Sequence, residues 1–117
     1  MKKKIILIVD DNEALVRALE TLLSDDYAVI TATDAYQALN VLYHMEPSLI
    51  FLDCFMPGYH GLQLLREIRQ MSLRSRVVII TAAESDMVGD EFNELGVDGF
   101  LMKPFNVADI EGFAAAA

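Results

Sequence analysis

Five polar residues stand where an apolar pattern ends, and their types suit chemistry on an anion. Asp10 and Asp11 follow the run Ile5–Val9, and Asp53 follows Leu49–Leu52. Thr81 closes "VVIIT", and Lys103 follows the run from Gly99 to Met102. The stretch "SLIFLDCFMPG", Ser48 to Gly58, puts the problem in its sharpest form. A carboxylate at the end of a fully apolar run must be paired, bound to a metal, or held for reaction. Two carboxylates about 5 Å apart in an effective dielectric of about 20 repel by roughly 3 kcal/mol, so three at one place call for a cation. With no His or second Cys beside them, the donors would all be oxygen. Such a site suits a hard ion, Mg²⁺ above Ca²⁺ when few protein ligands are present and a phosphate is involved. Lys103 is a point charge on a flexible stem, suited to phosphate oxygens. Residues of the same types also make purely structural features, namely a buried Asp–Lys pair and aspartates or Asn12 capping a helix.

The elements that must bring these residues together can be read from hydrophobic period. Ile5–Val9 is a continuous apolar strand, and Leu15, Ala18, Leu19, Leu22 and Leu23 then recur at helical spacing. A second strand spans Tyr27 to Thr33. Asp34, with Gln37 three residues on, caps a helix running to about Met45. Leu49–Leu52 is the third strand, and a helix over Leu62 to Met71 turns Leu65 and Ile68 inward. "VVIITA" is the fourth strand. A helix from about Asp86 to Leu95 follows, with Val88, Phe92 and Leu95 on one stripe and Gly96 as its stop. Gly99 to Met102 is a fifth strand, and Asn106 caps a last helix. Continuous apolar strands alternating with helices predict a parallel sheet covered on both faces, with right-handed crossovers. The expected fold is therefore α/β, a (βα)₅ doubly wound five-stranded sheet of flavodoxin-like order 2-1-3-4-5. In such sheets ligands bind at the carboxyl ends of the strands. In that order strands one, three, four and five are contiguous, so the strand ends bearing Asp10, Asp11, Asp53, Thr81 and Lys103 meet. Neighbouring strands lie roughly 4.8 Å apart, which puts Asp53 about one spacing from the first-strand pair and Lys103 about two spacings from Asp53.

Composition sets the frame. The chain has 117 residues, 54% hydrophobic and 23% charged, and reads as one folded domain over residues 1–117. A net charge of −9 argues against broad contact with nucleic acid or anionic membrane. Between Arg76 and Lys103 there is no basic residue and there are six acids, a span suited to a basic or amphipathic partner or to a solvated helix face. The single cysteine, Cys54, precludes an intrachain disulfide and a cysteine zinc cluster. Lys2-Lys3-Lys4 before "IILIV" imitates a signal peptide, but the apolar run is five residues long and ends in two aspartates. A cytoplasmic location is expected. The terminal Ala114–Ala117 run ends the last helix as though truncated.

Taken together, "IVDDN", "FLDCFMPGYHG", "IITA" and "FLMKPF" resemble the receiver domain of two-component response regulators, over essentially the whole chain. The resemblance implies that Asp53 is the phosphoacceptor, attacking the phosphorus of a phosphohistidine. It implies Mg²⁺ held by Asp10, Asp11, Asp53 and the main-chain carbonyl of Phe55, with Thr81 and Lys103 contacting phosphoryl oxygens. It implies a switch in which the Thr81 hydroxyl moves toward the phosphoryl group and Phe100 turns inward behind it. The output surface would then be the fourth helix, fifth strand and fifth helix. Phe100 lacks the hydroxyl of the Tyr commoner at that position. Phe55 and Ala83 fall at the positions that govern water access to the acyl phosphate, and two apolar residues there predict slow self-dephosphorylation. The implied partners are a sensor histidine kinase or histidine phosphotransfer protein, and an output domain or partner protein at the switching face, which is also where a homodimer would form. The domain would catalyse its own phosphorylation without turning over an external substrate. Two other functions compete. One is a pseudo-receiver that docks partners without phosphorylation, for which the full acidic, Thr and Lys set is not needed. The other is a phosphatase with an aspartyl nucleophile, which would need a second acid where Phe55 stands. Cys54 is expected in the core, facing away from Asp53 by strand alternation. His44 is expected at a helix end, and His60 in the loop near the site.

Overall fold

The computed structural model describes residues 2–56, 59–81 and 90–117. In chain order the elements are β1 (Ile5–Val9), α1 (Glu13–Leu23), β2 (Ala28–Ala32), α2 (Ala35–His44) and β3 (Leu49–Asp53). Two short strands follow, β4 (Phe55–Met56) and β5 (Tyr59–His60), then α3 (Gly61–Gln70), β6 (Arg76–Thr81), α4 (Asp90–Leu95), β7 (Gly99–Met102) and α5 (Val107–Ala116). The five long strands form one sheet in the order β2-β1-β3-β6-β7, parallel throughout. Numbering only the strands of that sheet, this is the expected 2-1-3-4-5 order. β4 and β5 pair separately as an antiparallel hairpin that the apolar pattern did not announce, since two residues carry no period.

Alternation along the strands splits the core in two. Leu7, Val9, Ile50, Leu52, Val77 and Ile79 face α2, α3 and α4. Ile6, Ile8, Leu49, Phe51, Val78 and Ile80 face α1 and α5. The central strand β3 is buried at all five positions, Asp53 included. Each fully buried Leu or Ile contributes about 1.5–3 kcal/mol relative to exposure, so the sheet's middle is the rigid part of the molecule and its carboxyl edge inherits that rigidity.

Helix ends follow local chemistry. Asn12 caps α1 by accepting from the Leu15 N–H, and Asp34 caps α2 by accepting from the Gln37 N–H at 2.8 Å. Asn106 and Asp109 form a reciprocal capping box at the start of α5. Gly96 stops α4 at φ +83°, a left-handed conformation that costs glycine nothing. The inward stripe of α1 differs from expectation. Val16, Leu19 and Leu23 are its deepest residues, Leu15 and Leu22 are half-buried, and Ala18 is exposed. Val16 escaped notice because Leu15 and Leu22 have the same apolar character, and they instead flank a surface groove. Ala83, Gly89, Val88 and the first turn of the expected fourth helix lie outside the described residues, and of that stripe Phe92 is buried and Leu95 half-buried.

Candidate acidic site at the sheet edge

β1 and β3 are in register through Val9 and Leu52, so the next residues, Asp10 and Asp53, emerge side by side. Asp11 continues from Asp10. The three carboxylates offer oxygens that all lie within 4.8 Å of one another. Asp10 is fully buried, Asp53 is 6% exposed and Asp11 is open to solvent. β3 pairs with β6 through Asp53 and Ile80, which brings Thr81, 1% exposed, to the next position along the edge. β6 pairs with β7 through Thr81 and Met102, and the Lys103 N–H donates to the Thr81 carbonyl at 2.8 Å. The register alone therefore gathers every polar strand end that the sequence singled out.

Each acid is held differently. The Asp10 N–H donates to the Ala32 carbonyl, and its Oδ1 accepts from the Asn12 N–H at 2.9 Å. Its Oδ2 is buried and accepts no hydrogen bond among the described residues, although Lys103 Nζ lies 3.3 Å away. That contact is an ion pair without hydrogen-bond alignment, so one acceptor face of a buried anion is left over. Lys103 reaches it from the end of β7, three strand spacings or roughly 14 Å from β1, and its side chain remains 29% exposed. The ammonium thus spans the edge on which Asp53 and Thr81 sit.

The donor set is oxygen throughout. Cys54 is fully buried and belongs to the core on the α2 and α3 side, opposite the alternation phase of Asp53. Burial first, and the Asp53 charge second, push its thiol up to about 11, so it remains protonated and offers no soft ligand. Three oxygen donors, with an unsatisfied buried oxygen among them, fit a hard divalent cation. His44 Nδ1 meets the Asn40 carbonyl at 2.7 Å at the end of α2, away from the acids. Phe100 is half-buried, packs against the core on the α3 and α4 side, and pairs with Ile79, two residues before Thr81. Thr81 and Phe100 therefore share one face of the sheet.

The apolar groove between α1 and α5 was missed from sequence. It is lined by Leu15, Leu19, Leu22, Phe105, Val107 and Ile110 among others, and it begins two residues beyond Lys103. The signal available was the apolar pair Phe105 and Val107 flanking a capping Asn, which periodicity cannot distinguish from core.

The chain matches the family described as the response regulator receiver domain over residues 6–114. It is 35% identical over 111 residues to the alkaline phosphatase synthesis transcriptional regulatory protein PhoP of Bacillus subtilis (strain 168), covering 94% of this chain and 46% of that protein. It is 38% identical over 114 residues to the probable transcriptional regulator ycf27 of Porphyridium aerugineum, covering 95% of this chain and 46% of that one. The chain thus spans about half the length of these curated relatives. Among solved structures, the receiver domain protein (CheY-like) of Methanospirillum hungatei JF-1 superposes with a TM-score of 0.92 at 25% identity, over 98% of this chain and 93% of that one.

Proposed function

The chain belongs to the response regulator receiver domain family of two-component systems, and from that premise we propose that it is a switch that accepts a phosphoryl group on Asp53. The observation that carries this reading is the convergence of the Asp10, Asp11 and Asp53 oxygens within 4.8 Å, spanned by Lys103 at 3.3 Å from Asp10. The donor is a phosphohistidine on a sensor histidine kinase or a histidine phosphotransfer protein. An Asp53 oxygen attacks phosphorus in line, the P–N bond breaks, and its electron pair returns to the imidazole. This transfer depends on placement and charge neutralisation more than on covalent machinery.

Asp10, Asp11, Asp53 and the main-chain carbonyl of Phe55 would hold Mg²⁺, which when bound neutralises phosphoryl oxygens as a Lewis acid. Lys103 turns from Asp10 to a second phosphoryl oxygen, and the Thr81 hydroxyl donates to a third. Because the Lys103 N–H is bonded to the Thr81 carbonyl, movement of one is felt by the other. Phe100 follows on the same sheet face, and the α4, β7 and α5 surface changes with it. An output domain or partner protein reads that surface. Apolar Phe55 and Ala83 offer no polar handle for the hydrolytic water, so the acyl phosphate is long-lived. In this reading the donor protein docks on the apolar groove between α1 and α5, whose lining begins two residues beyond Lys103. Output through further domains, as the greater length of the relatives suggests, belongs to the same proposal.

A docking module that works without phosphorylation is the second reading, favoured by the Asp10–Lys103 pair, which by itself accounts for two of the five residues. Beryllofluoride, an analogue of the phosphoryl group, separates the two. With Mg²⁺ it should bind, raise the melting temperature and shift amide signals from Thr81 to Phe100, and Asp53→Asn should abolish all three effects. Binding that persists in the variant, or is absent in the native chain, would leave the docking module as the better description.

A further inference from the structure

Gly61 opens α3 directly against the backbone of the acceptor residue. Its N–H donates to the Cys54 carbonyl at 3.0 Å, and the residue is buried. A Cβ at this position would lie 2.7 Å from the Asp53 carbonyl oxygen, 2.8 Å from the Cys54 carbonyl oxygen and 2.9 Å from Cys54 Cα. All three are main-chain atoms, so no rotamer change relieves the overlap.

Both walls of this contact are stiff. On one side the Cys54 N–H donates to the Ile80 carbonyl at 2.9 Å, fixing the acceptor peptide to the sheet. On the other, α3 is anchored by Leu64, Leu65 and Ile68, each with no exposed surface. Between Cys54 and Gly61 the chain folds back on itself, with Phe55 paired to His60 and Met56 to Tyr59. Gly61 therefore closes a small hairpin whose first strand carries the Phe55 carbonyl.

We propose that Gly61 is a positioning residue for the acidic site. Having no side chain, it lets α3 and the hairpin close onto the Asp53–Cys54 peptide, and that closure sets the Asp53 carboxylate relative to the Phe55 carbonyl. The proposal rests on the reading of this site as a Mg²⁺ and phosphoacceptor site, and it adds a residue whose own atoms need touch neither ligand. A methyl group at residue 61 must displace either the acceptor peptide or the hairpin, and outer-shell changes of this kind typically weaken metal binding 10- to 100-fold.

The test is calorimetric Mg²⁺ titration of the full chain, stripped of metal, as native protein, Gly61→Ala and Ile68→Val, with folding checked by amide spectra and melting temperature. Ile68→Val loosens α3 two turns from the acceptor and serves as the control for general destabilisation. Folded Gly61→Ala should bind Mg²⁺ at least about tenfold more weakly, while Ile68→Val melts earlier with its affinity unchanged. At saturating Mg²⁺, labelling of Gly61→Ala by acetyl phosphate should also be slower, by up to about 100-fold for a misplacement near 1 Å. Native affinity in folded Gly61→Ala, or an equal loss in Ile68→Val, would overturn the positioning role and leave the metal site standing. Absence of Mg²⁺ binding by the native chain would overturn the site reading itself. Should Gly61→Ala not fold, the native amide spectrum decides. The Gly61 signal should move with Mg²⁺ at the same midpoint as those of Cys54 and Phe55, and a Gly61 signal that stays still while theirs move would refute the proposal.

Discussion

At the scale of the residue, the site is a problem of like charges. Oxygens of Asp10, Asp11 and Asp53 lie within 4.8 Å of one another, and the Lys103 ammonium lies 3.3 Å from Asp10. Removing the Asp53 charge should therefore stabilise the metal-free protein, by about 1–3 kcal/mol given repulsion at this distance and partial screening. Urea denaturation of Asp53→Asn without metal should show the gain. Mg²⁺ at a hundredfold excess over its dissociation constant should add roughly 2.7 kcal/mol to the native protein and much less to the variant. Cys54 makes the opposite case, a potentially reactive group without reactivity. Fully buried, with its thiol pushed up to about 11 by burial and then by Asp53, it should resist a disulfide reagent at pH 8 until the protein is unfolded by urea, when it should react at once. Rapid labelling in the folded state would show that the acceptor strand opens. The identities of these residues were legible because a polar group ending an apolar strand is conspicuous. Their partners were less so. Lys103 starts two strand spacings from Asp53, as the strand order predicts, and its ammonium lies 3.3 Å from Asp10, a contact made by side-chain reach that spacing alone does not determine.

Elements were legible where one signal was strong and local. The Asp34–Gln37 and Asn106–Asp109 caps and the Gly96 stop follow from side-chain chemistry within four residues. The stripe of α1 was misplaced because apolar residues on three adjoining faces serve the core and the groove alike, and the hairpin of β4 and β5 is too short to show any period. One long-range contact is invisible to any local reading. The Arg69 guanidinium, from the end of α3, donates to the carbonyls of Leu95 and Ser75 and also to that of Gly96. α4 has no basic residue in its own last turn, so Arg69 caps it from a neighbouring helix. Arg69→Met should lower stability by about 2 kcal/mol, in the range for hydrogen bonds to a charged group, and hydrogen exchange should quicken at Asn93–Gly96 before it does in β6. The groove between α1 and α5 gives a second test at this scale. Val107 is 52% exposed within it, so Val107→Glu should fold normally, accept phosphoryl groups from acetyl phosphate at the native rate, and slow transfer from a phosphohistidine protein about tenfold. Equal slowing with both donors would mean that the groove does not dock the donor.

For the whole molecule, the parallel sheet and its order could be anticipated because continuous apolar strands separated by helices admit few topologies. Once that order is fixed, the register through Val9, Leu52, Ile80 and Met102 delivers the polar strand ends to one edge. The acidic composition and the span free of basic residues say only that the α4 and β7 side suits a partner of opposite or amphipathic character. Among the described residues no helix is long and apolar enough to cross a membrane. The output is the least legible property, since the same sheet edge serves many pathways and the relatives are about twice as long. The most direct measurement is the mass of the intact chain after incubation with acetyl phosphate, with and without Mg²⁺, beside Asp53→Asn. A phosphoryl-sized gain that requires Mg²⁺ and disappears in the variant is the predicted result. No gain in the native chain, while another receiver domain is labelled in the same conditions, or a gain that survives in Asp53→Asn, would contradict it.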